Sequence, residues 1–353
     1  MNSSYKKNRS DKVPIPHSLL RYRELLDDSL RLSVPNCGNS VYKLLEYAMG
    51  WIDEDGRPVS KSKGKALRPT LCLLSSVASG GTIQSALPAA VALELIHNFS
   101  LIHDDIQDKD KIRHHRRTVW AVWGNSKALV AGDVLKIIAD RSLTDVKDKG
   151  LNSIISNRIN GLLTEAYLEM IEGQYLDLDY ERRTDVGISN YLDMVSRKTG
   201  ALIRSSMNIG ALLGSEDDSV ADTFRKCGSA VGYLFQVRDD ILGIWGQETL
   251  TGKPVGSDIR RRKNTFPVVY TISKIGGSDK RELLHIYQKD NIDDNDVQSV
   301  LEIMDKVDTR SYAQDFAQSC RDDAVKLLSS VNLVTKPHKD LVDIFNFLLV
   351  REN

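Results

Sequence analysis

The chain has 353 residues, of which 41% are hydrophobic and 27% are charged, as expected of a folded protein with a sizeable core. Lysine plus arginine and aspartate plus glutamate both number 48, so no overall charge points to nucleic acid or a membrane surface as a partner. The four cysteines (Cys37, Cys72, Cys227 and Cys320) are far apart and lack metal-binding spacing, which is typical of free thiols in a reducing cytosol.

Apolar residues recur at three- and four-residue intervals along almost the whole chain, which predicts an all-α fold. The predicted helices cover roughly 17–32, 39–52, 66–79, 86–108, 126–143, 152–178, 188–213, 218–245, 264–275, 281–289, 294–305 and 309–331. Pro88 and Gly214 lie near two of the predicted helix boundaries. We predict one helical domain over residues 17–350, a disordered tail over residues 1–16, and frayed chain ends.

The N-terminus has no apolar segment of the signal-peptide kind. No run approaches the ~18 apolar residues that a membrane span needs. These two observations predict a cytoplasmic protein without a transmembrane segment.

Two acidic clusters each follow a strongly apolar predicted helix. Asp104 and Asp108 end the segment 86–108, and at ~100° per residue they share one helix face. Asp239 and Asp240 lie near the end of the segment 218–245. One such cluster would be explained as a solvated helix end, but a pair of clusters is harder to dismiss.

Unpaired carboxylates at the mouth of an apolar cavity repel one another, and burying them is costly. A divalent cation relieves that repulsion. Oxygen ligands with open coordination positions suit Mg²⁺, which keeps waters and bridges protein carboxylates to substrate phosphates. The two acidic clusters therefore predict a site for Mg²⁺ and a diphosphate.

Polar loops interrupt the helices at 53–65, 109–118 and 246–264, and the third is expected to be mobile and cationic. Basic residues in these loops and next to the clusters complete a set of candidate anion-binding groups: Lys65, Arg68, Arg113, Lys198, Lys253 and Lys263. Any one of them is explained as a surface charge. The whole set indicates a site for two phosphorylated ligands.

These motifs resemble those of the trans-isoprenyl diphosphate (polyprenyl) synthases over roughly residues 20–345. "DDIQD" is similar to the family's first aspartate-rich motif, "FQVRDD" to the start of the second, and "GKALRP" to its GKxxRP. "ELIHNFSLIHDD", "GQYLD", "KTGAL" and "TGKPVGSD" follow in the family's order. The resemblance implies an all-α, single-domain helical bundle around a deep apolar pocket, and a homodimer.

The resemblance also implies residue roles. Asp104, Asp108 and Asp239 would ligate three Mg²⁺ ions, with Asp105 and Asp240 acting through water. Arg113, Lys198 and Lys253 would bind the allylic diphosphate, with Gln236 nearby. Isopentenyl diphosphate would be bound by Lys65, Arg68 and His97, while Lys263 would close over the site.

The implied reaction is a head-to-tail condensation. Metal ions and lysines stabilise the departing diphosphate, so the allylic C–O bond ionises, and the alkene of isopentenyl diphosphate attacks the cation. Thr199 and Gln236 would stabilise the cation with their oxygen dipoles, and a proton is lost to the released diphosphate. No side-chain nucleophile is needed.

Three positions depart from the family pattern: Gly243 replaces the last aspartate of the second motif, His114 the second arginine after the first motif, and Ala66 an arginine within GKxxRP. We expect activity to survive because Asp239 is present. On this interpretation, Gly243→Asp changes kcat by about tenfold at most (~1.4 kcal/mol) and slightly stabilises the helix.

Two alternatives remain open from the residues. A class I terpene cyclase also ionises an allylic diphosphate, but it has no need of the second diphosphate site formed by Lys65, Arg68 and His97. A non-catalytic partner subunit typically loses the first aspartate motif, which is intact here.

Product length is predicted from the residues one turn before Asp104. Wheel geometry puts Ser100 directly below Asp104, whereas the resemblance marks Phe99 as the pocket floor. We follow the resemblance, which favours a C20 product with C15 as the nearest competitor. The alternative is that Phe99 belongs only to the core.

Overall fold

A computed structural model describes residues 13–35, 40–59, 64–148, 153–181, 183–251 and 254–352 of the chain. The helices of its N-terminal half are α1 (His17–Arg21), α2 (Arg23–Ser33), α3 (Ser40–Ala48), α4 (Leu67–Ala78), α5 (Ile83–Gln107), α6 (Val119–Trp123), α7 (Asn125–Asp148) and α8 (Ser153–Tyr180). Two short strands, β1 (Ile112–Arg113) and β2 (Arg116–Arg117), pair in an antiparallel hairpin between α5 and α6.

The C-terminal half begins with α9 (Ile188–Val195), a π-helical turn (Ser196–Gly200) and α10 (Ala201–Ser215). It continues with α11 (Asp218–Trp245), α12 (Glu248–Thr251), α13 (Ser257–Arg260), α14 (Phe266–Lys274), α15 (Gly277–Gln288), α16 (Asp294–Lys306), α17 (Thr309–Leu328) and α18 (Thr335–Val350). The predicted all-α class is therefore confirmed.

The longest apolar helices form the centre of the fold. Helix α5 packs against α4 and α7, and α10 packs between α4 and α11, while α17 covers the other side of α11. One hydrophobic cluster surrounds α5 and α7, and a second surrounds α10, α11 and α18. A third, smaller cluster joins the end of α11 to α13–α16. Both acidic clusters thus lie on central helices.

Two helix boundaries differ from the predicted ones because capping residues determine where these helices begin or end. Helix α5 begins earlier than residue 86 because the Thr82 side chain accepts a hydrogen bond from the Ser85 N–H at 3.2 Å, which caps the helix at Thr82. Pro88 consequently lies inside α5. Helix α10 continues past Gly214 to Ser215 and ends at Glu216, whose backbone is left-handed.

The prediction of a frayed C-terminus is wrong. Helix α18 packs its apolar face into the core, and Arg351 beyond it is only 4% exposed. At the other end, residues 1–12 of the predicted disordered tail lie outside the described residues. Val13 packs against the second hydrophobic cluster.

The expectation that no run is long and apolar enough for a membrane span is also corrected. In the described residues, Ile83–Gln107 passes that test by length and composition. However, 61% of its most apolar window is buried against the neighbouring helices. The helix is hydrophobic because it forms the core around which α4 and α7 pack.

Candidate functional site

The first acidic cluster ends helix α5. Asp104 and Asp108 lie one turn apart on that helix, and Asp108 is its C-terminal cap. Burial raises the pKa of Asp104 to about 6, opposed by Lys198, and the neighbouring Asp108 raises the same pKa further. Neither carboxylate forms an ion pair in the described part of the chain. Within the described residues, Asp104 and Asp108 are therefore carboxylates without a direct ion-pair partner, and Lys198 acts on Asp104 from a distance.

Asp105 points to a different partner. Its carboxylate is 5% exposed and accepts a hydrogen bond from Arg113 Nε at 2.6 Å. Burial raises the pKa of Asp105 to about 6, against the opposing effect of Arg113. The β1–β2 hairpin carries Arg113 to this position, because His114 and His115 both adopt the left-handed backbone of its tight turn. Arg113 is thereby fixed beside the first cluster.

Lys198 and Thr199 lie in the π-helical turn between α9 and α10, a distortion often found at functional sites. Gly173 of α8 permits close approach, since a Cβ there would lie 2.1 Å from the Lys198 backbone nitrogen. Lys198 Nζ donates to Asp177, one turn after Gly173. Burial lowers the pKa of Lys198, but Asp177 and Asp104 outweigh that effect, and the net direction is upward. Lys198 is therefore a cation that faces the first cluster.

Helix α11 carries the second cluster, and its two aspartates have different surroundings. Asp240 is 4% exposed and accepts hydrogen bonds from Tyr191 Oη, from the Phe266 N–H at 2.7 Å and from Gln236 Nε2 at 3.0 Å. Burial raises the pKa of Asp240 to about 7, and these three donors oppose the rise. Asp240 thus joins α9 and α14 to α11.

Asp239 faces the other way, toward the C-terminal segment. Its Oδ1 accepts a hydrogen bond from Arg351 Nη2 at 2.7 Å, and the same nitrogen donates to the Phe235 carbonyl at 3.1 Å. Lys65 lies near this pair, with its Nζ 5.5 Å from the Phe347 ring centroid. Burial lowers the pKa of Lys65 to about 8, and Arg351 lowers it further.

A second group of site residues lies between α4 and α5. Burial lowers the pKa of Arg68, while the negative charges of Glu94, Asp239 and Asp104 raise it. The negative charges of both acidic clusters therefore act on the Arg68 guanidinium. Burial also lowers the pKa of His97 well below its usual value, and the positive charge of Arg68 adds to this, so its imidazole is neutral.

Thr199 and Gln236 join the π-helical turn to the second cluster. Thr199 Oγ1 donates to Gln236 Oε1 at 2.7 Å, and Gln236 Nε2 donates onward to Asp240. The hydroxyl proton of Thr199 is thus engaged, and its lone pairs remain available to a positive charge. The structure brings together the residues predicted on the two clusters and the π-helical turn.

Two of the predicted basic residues are not brought to the site by the described structure. Lys263 is exposed at the end of the third loop, and Lys253 lies outside the described residues. The third loop was expected to be mobile, but its described part is docked: the Gly256 N–H donates to the Ile244 carbonyl at 3.0 Å. Ser257 Oγ donates to the Gly243 carbonyl at 3.1 Å.

The expectation that Gly243 occupies an ordinary helix position, where a side chain is accommodated freely, is wrong. A Cβ added to Gly243 would lie 2.0 Å from Oδ2 of Asp258. Any side chain at this position must therefore displace the Asp258 carboxylate. The expected slight stabilisation by Gly243→Asp loses its basis, because the new carboxylate would meet an existing one.

The two candidate pocket-floor residues differ in their contacts. Phe99 is 5% exposed, and its ring packs edge-on against His103 at 4.6 Å and Tyr167 at 5.6 Å between centroids. Ser100 Oγ donates to the His97 carbonyl of its own helix at 2.8 Å. Of the two residues one turn before Asp104, Phe99 therefore has the larger buried side chain, and Tyr167 of α8 packs against its ring.

Sequence reasoning missed three residues of the site: Asp177, Tyr191 and Arg351. Asp177 was within reach, because it ends the "GQYLD" motif one turn after Gly173. Tyr191 and Arg351 carry no local signal. Their partners, Asp240 and Asp239, are 49 and 112 positions away in the sequence.

The donor set fits a hard divalent cation. In the described residues, no three Asp, Glu, His or Cys side chains converge closely enough to hold a metal ion by themselves. Mg²⁺ is usually held by one or two carboxylates and completes its shell with waters and substrate phosphates. The buried carboxylate of Asp104 beside Asp108 would suit that role, with waters and substrate phosphates completing the shell.

The sequence matches the family model described as polyprenyl synthetase over residues 50–304. The chain belongs to the polyprenyl synthetase family. It is 35% identical to a (2E,6E)-farnesyl diphosphate synthase of Mycobacterium tuberculosis over 332 residues, which are 93% of this chain and 91% of that protein. A geranylgeranyl diphosphate synthase of the same species is 34% identical over 264 residues, 72% of this chain and 74% of that protein.

Solved structures of polyprenyl synthetases have the same fold. A polyprenyl synthetase from Streptomyces coelicolor A3(2) has a TM-score of 0.88 at 34% identity, over 95% of this chain and 99% of that chain. A geranylgeranyl pyrophosphate synthetase from Pyrococcus horikoshii has a TM-score of 0.85 at 31% identity, over the same shares. The predicted family is confirmed: the chain is a short-chain trans-prenyl diphosphate synthase, and thus a transferase.

Proposed function

We propose that this polyprenyl synthetase condenses isopentenyl diphosphate head-to-tail with an allylic diphosphate in an Mg²⁺-dependent reaction, giving C15–C20 products with C20 favoured. The observation that supports this most directly is that the charges of Asp104 and Asp239, one from each acidic cluster, both act on the buried Arg68 guanidinium. Two acidic clusters and a set of buried cations thus share one space. That combination suits two diphosphates and divalent cations.

Asp104, Asp108 and Asp239 would hold three Mg²⁺ ions together with the allylic diphosphate. When bound, these ions neutralise charge on the departing diphosphate. Asp105 would act through its ion pair with Arg113, which it holds at 2.6 Å beside the first cluster. Asp240 would act indirectly, because its carboxylate is already occupied by three donors.

Two groups of basic residues would bind the two substrates separately. Arg113, Lys198 and Lys253 would bind the allylic diphosphate, and Lys65, Arg68 and His97 would bind isopentenyl diphosphate. Lys263 would close over the site. The neutral imidazole of His97 suits this assignment, since it donates a hydrogen bond without adding charge to Arg68.

The chain's own groups would then guide the reaction. Lys198 donates to the departing diphosphate, and the allylic C–O bond breaks. The oxygen of Thr199, with its proton engaged by Gln236, faces the positive charge that forms. The alkene of isopentenyl diphosphate forms the new C–C bond, and its C2 proton passes to the released diphosphate.

The decisive experiment incubates the purified protein with isopentenyl diphosphate and each of the C5, C10 and C15 allylic diphosphates, with Mg²⁺ or with a chelator. We expect Mg²⁺-dependent chain extension that ends at C20. Termination at C15 would favour the farnesyl product named for the mycobacterial relative. Cyclised hydrocarbon without extension would indicate a terpene cyclase, and no turnover with any starter would indicate a partner subunit.

Binding of isopentenyl diphosphate should weaken as the pH rises past about 8. The pKa of Lys65 is lowered to about 8, so its ammonium is lost over the range in which an ordinary lysine stays charged. Diphosphate prefers the ammonium form, and the KM for isopentenyl diphosphate should therefore rise at alkaline pH. Steady-state kinetics between pH 7 and 9.5 will measure this rise.

Lys65→Arg provides the matched variant. Arginine stays protonated throughout this range, so the alkaline rise in KM should flatten in the variant. A wild-type KM that is constant up to pH 9.5 would contradict the assignment of Lys65. A control series with the allylic diphosphate varied instead should lack this rise.

We also propose that the enzyme is a homodimer that buries one face of α7 and α8. The exposed apolar side chains of this face recur at helical spacing: Val130, Ile137, Leu168, Ile171 and Tyr175. Since a two-fold interface uses the same surface on both subunits, a continuous apolar face on two adjacent helices suits a second copy of the chain.

Ile137→Asp should convert the dimer to a monomer, because Ile137 is 64% exposed on this face and a charge there would be desolvated in the interface. Light scattering after size-exclusion chromatography will give the molar mass. Ile15→Asp is the control, since Ile15 is 42% exposed just before α1, and α1 packs on α2, α4 and α18. Equal masses for the two variants and the wild type would contradict the proposed interface.

A cytoplasmic location and a single domain over residues 17–350 complete the proposal. The described cysteines (Cys72, Cys227 and Cys320) are free and buried, which suits a reducing compartment. Cys37 lies outside the described residues. Helix α11 extends into all three clusters through Ala221, Leu234 and Ile244, which supports one cooperative unit.

A further inference from the structure

The end of helix α11 has a gap in its side-chain surface at Gly243. This glycine lies four residues after Asp239 and three after Asp240, so all three positions belong to neighbouring rows on one side of the helix. The gap is not empty: a Cβ at this position would lie 2.0 Å from Asp258 Oδ2 and 2.5 Å from Asp258 Cγ. A carboxylate from another element therefore occupies the space of the absent side chain.

Backbone contacts on both sides of the gap fix Asp258. The residues before it dock on α11, since the Gly256 N–H donates to the Ile244 carbonyl and Ser257 Oγ to the Gly243 carbonyl. Ile259, the residue after it, is fully buried in the third hydrophobic cluster. Asp258 is thus delivered to α11 by a short anchored helix.

Three arginines follow Asp258 closely, but each of them has another partner. Arg260 pairs with Asp294 and Arg261 with Asp110, while Arg262 donates to the carbonyls of Lys289 and Asp290. Within the described residues, Asp258 itself forms no ion pair.

A buried hydroxyl marks the same region as polar. Tyr287 of α15 is 7% exposed, and its Oη has no hydrogen-bond partner among the described residues. Burial raises its pKa, and Asp258 is the charged group that raises it further. Tyr287 belongs to the same hydrophobic cluster as Ile259, so an unpartnered buried hydroxyl lies in the region next to α13, where a water or ligand oxygen would satisfy it.

We propose that Asp258 supplies the third carboxylate of the second acidic cluster, and that Gly243 is the space that admits it. The carboxylate absent from helix position 243 is delivered by α13 instead. This inference rests on the proposed function, and it gives Asp258 the task of orienting, through its water shell, the divalent cation that Asp239 would ligate with the diphosphate. Asp258 is therefore a positioning residue that sequence comparison along α11 alone would overlook.

We expect Gly243→Ala and Asp258→Asn to weaken Mg²⁺-dependent diphosphate binding to a similar extent, although alanine adds no functional group. A Cβ at 243 displaces the carboxylate, and asparagine removes its charge. We expect each variant to raise the Mg²⁺ concentration for half-maximal binding of inorganic diphosphate by about tenfold or more, as is usual for such positioning groups. Isothermal titration calorimetry of the full-length protein will measure it.

Gly276→Ala is the matched glycine control, because a Cβ there would meet no atom within 4 Å. It should bind as the wild type does. The double variant Gly243→Asp with Asp258→Gly returns the carboxylate to α11 and should bind diphosphate at least tenfold more tightly than Asp258→Gly alone. Circular dichroism melts of each variant will separate a binding loss from unfolding.

The outcomes distinguish this inference from the proposed function. If the wild type neither binds diphosphate with Mg²⁺ nor extends an allylic substrate, the proposed function fails. If the wild type does both and the folded Asp258→Asn and Gly243→Ala variants match it, only the Asp258 assignment is wrong. A double variant no better than Asp258→Gly would refute the exchange of one carboxylate between the two positions.

Discussion

Asp104→Asn is expected to lower kcat by about 10³-fold, or roughly 4 kcal/mol, while leaving the fold intact. The carboxylate lies at the end of a core helix beside Asp108 and faces Lys198. Asparagine has the same shape but cannot neutralise a divalent cation, so the loss falls on the transition state in which diphosphate departs. Single-turnover measurements at saturating Mg²⁺ will isolate this step.

Stability should move in the opposite direction in the same variant. Burial raises the folded pKa of Asp104 to about 6, above its ordinary value, so ionisation at pH 7 disfavours the folded state. Removing the charge should therefore raise Tm at pH 7, with the gain disappearing as the pH falls below the ordinary carboxyl pKa. Asp315→Asn is the control, since Asp315 is an exposed residue of α17, and the change should alter neither quantity. A kcat within tenfold of the wild type would remove Asp104 from the site.

Phe99→Ala should lengthen the main product by one C5 unit. The Phe99 ring is 5% exposed, lies five residues before Asp104 on α5, and has the Tyr167 ring 5.6 Å away between centroids. On the proposed function it forms the end of the pocket. Deleting the ring opens one layer, but Tyr167 remains as a second barrier. Lys136 Nζ lies 4.9 Å from the Tyr167 ring centroid and holds this second barrier in place. Extension should therefore stop after one unit rather than continue.

Product analysis by reversed-phase chromatography after dephosphorylation will test this, and Phe99→Ala with Tyr167→Ala should extend the product again. Phe224→Ala is the matched control, since Phe224 is fully buried in the other hydrophobic cluster. Both phenylalanine variants should lose about 3–5 kcal/mol of stability from the cavity they leave. A changed product with Phe224→Ala, or an unchanged one with a folded Phe99→Ala, would assign Phe99 to the core alone.

The sequence was informative where one helix carries the signal. Hydrophobic periodicity predicts the long central helices, and the same periodicity aligns Asp104 with Asp108. Hydrophobic periodicity does not reveal helix caps, and the predicted start of α5 is therefore later than its actual N-cap at Thr82. Helix spacing also says nothing about the π-helical turn, which forms where Lys198 packs on Gly173 of another helix.

The contacts that the sequence could not predict are all long-range. Arg351 reaches Asp239 across 112 positions, and Tyr191 reaches Asp240 across 49. Gly243 appeared to be a missing carboxylate because the sequence places its substitute, Asp258, on a separate helix. Spacing along one element predicts which residues share a face, but the packing of elements decides which groups meet across it.

The hydrogen bonds of Asp240 bear on how degenerate relatives of this chain should be interpreted. Three donors from α9, α11 and α14 converge on this one carboxylate, whereas within the described residues its neighbour Asp239 accepts a hydrogen bond only from Arg351. A homologue that loses the first aspartate but keeps the second should remain a well-folded protein without turnover. A homologue that loses the second should rarely persist at all, because an amide cannot accept all three bonds. Adjacent letters of one motif are thus subject to selection for different reasons, the first for chemistry and the second for architecture.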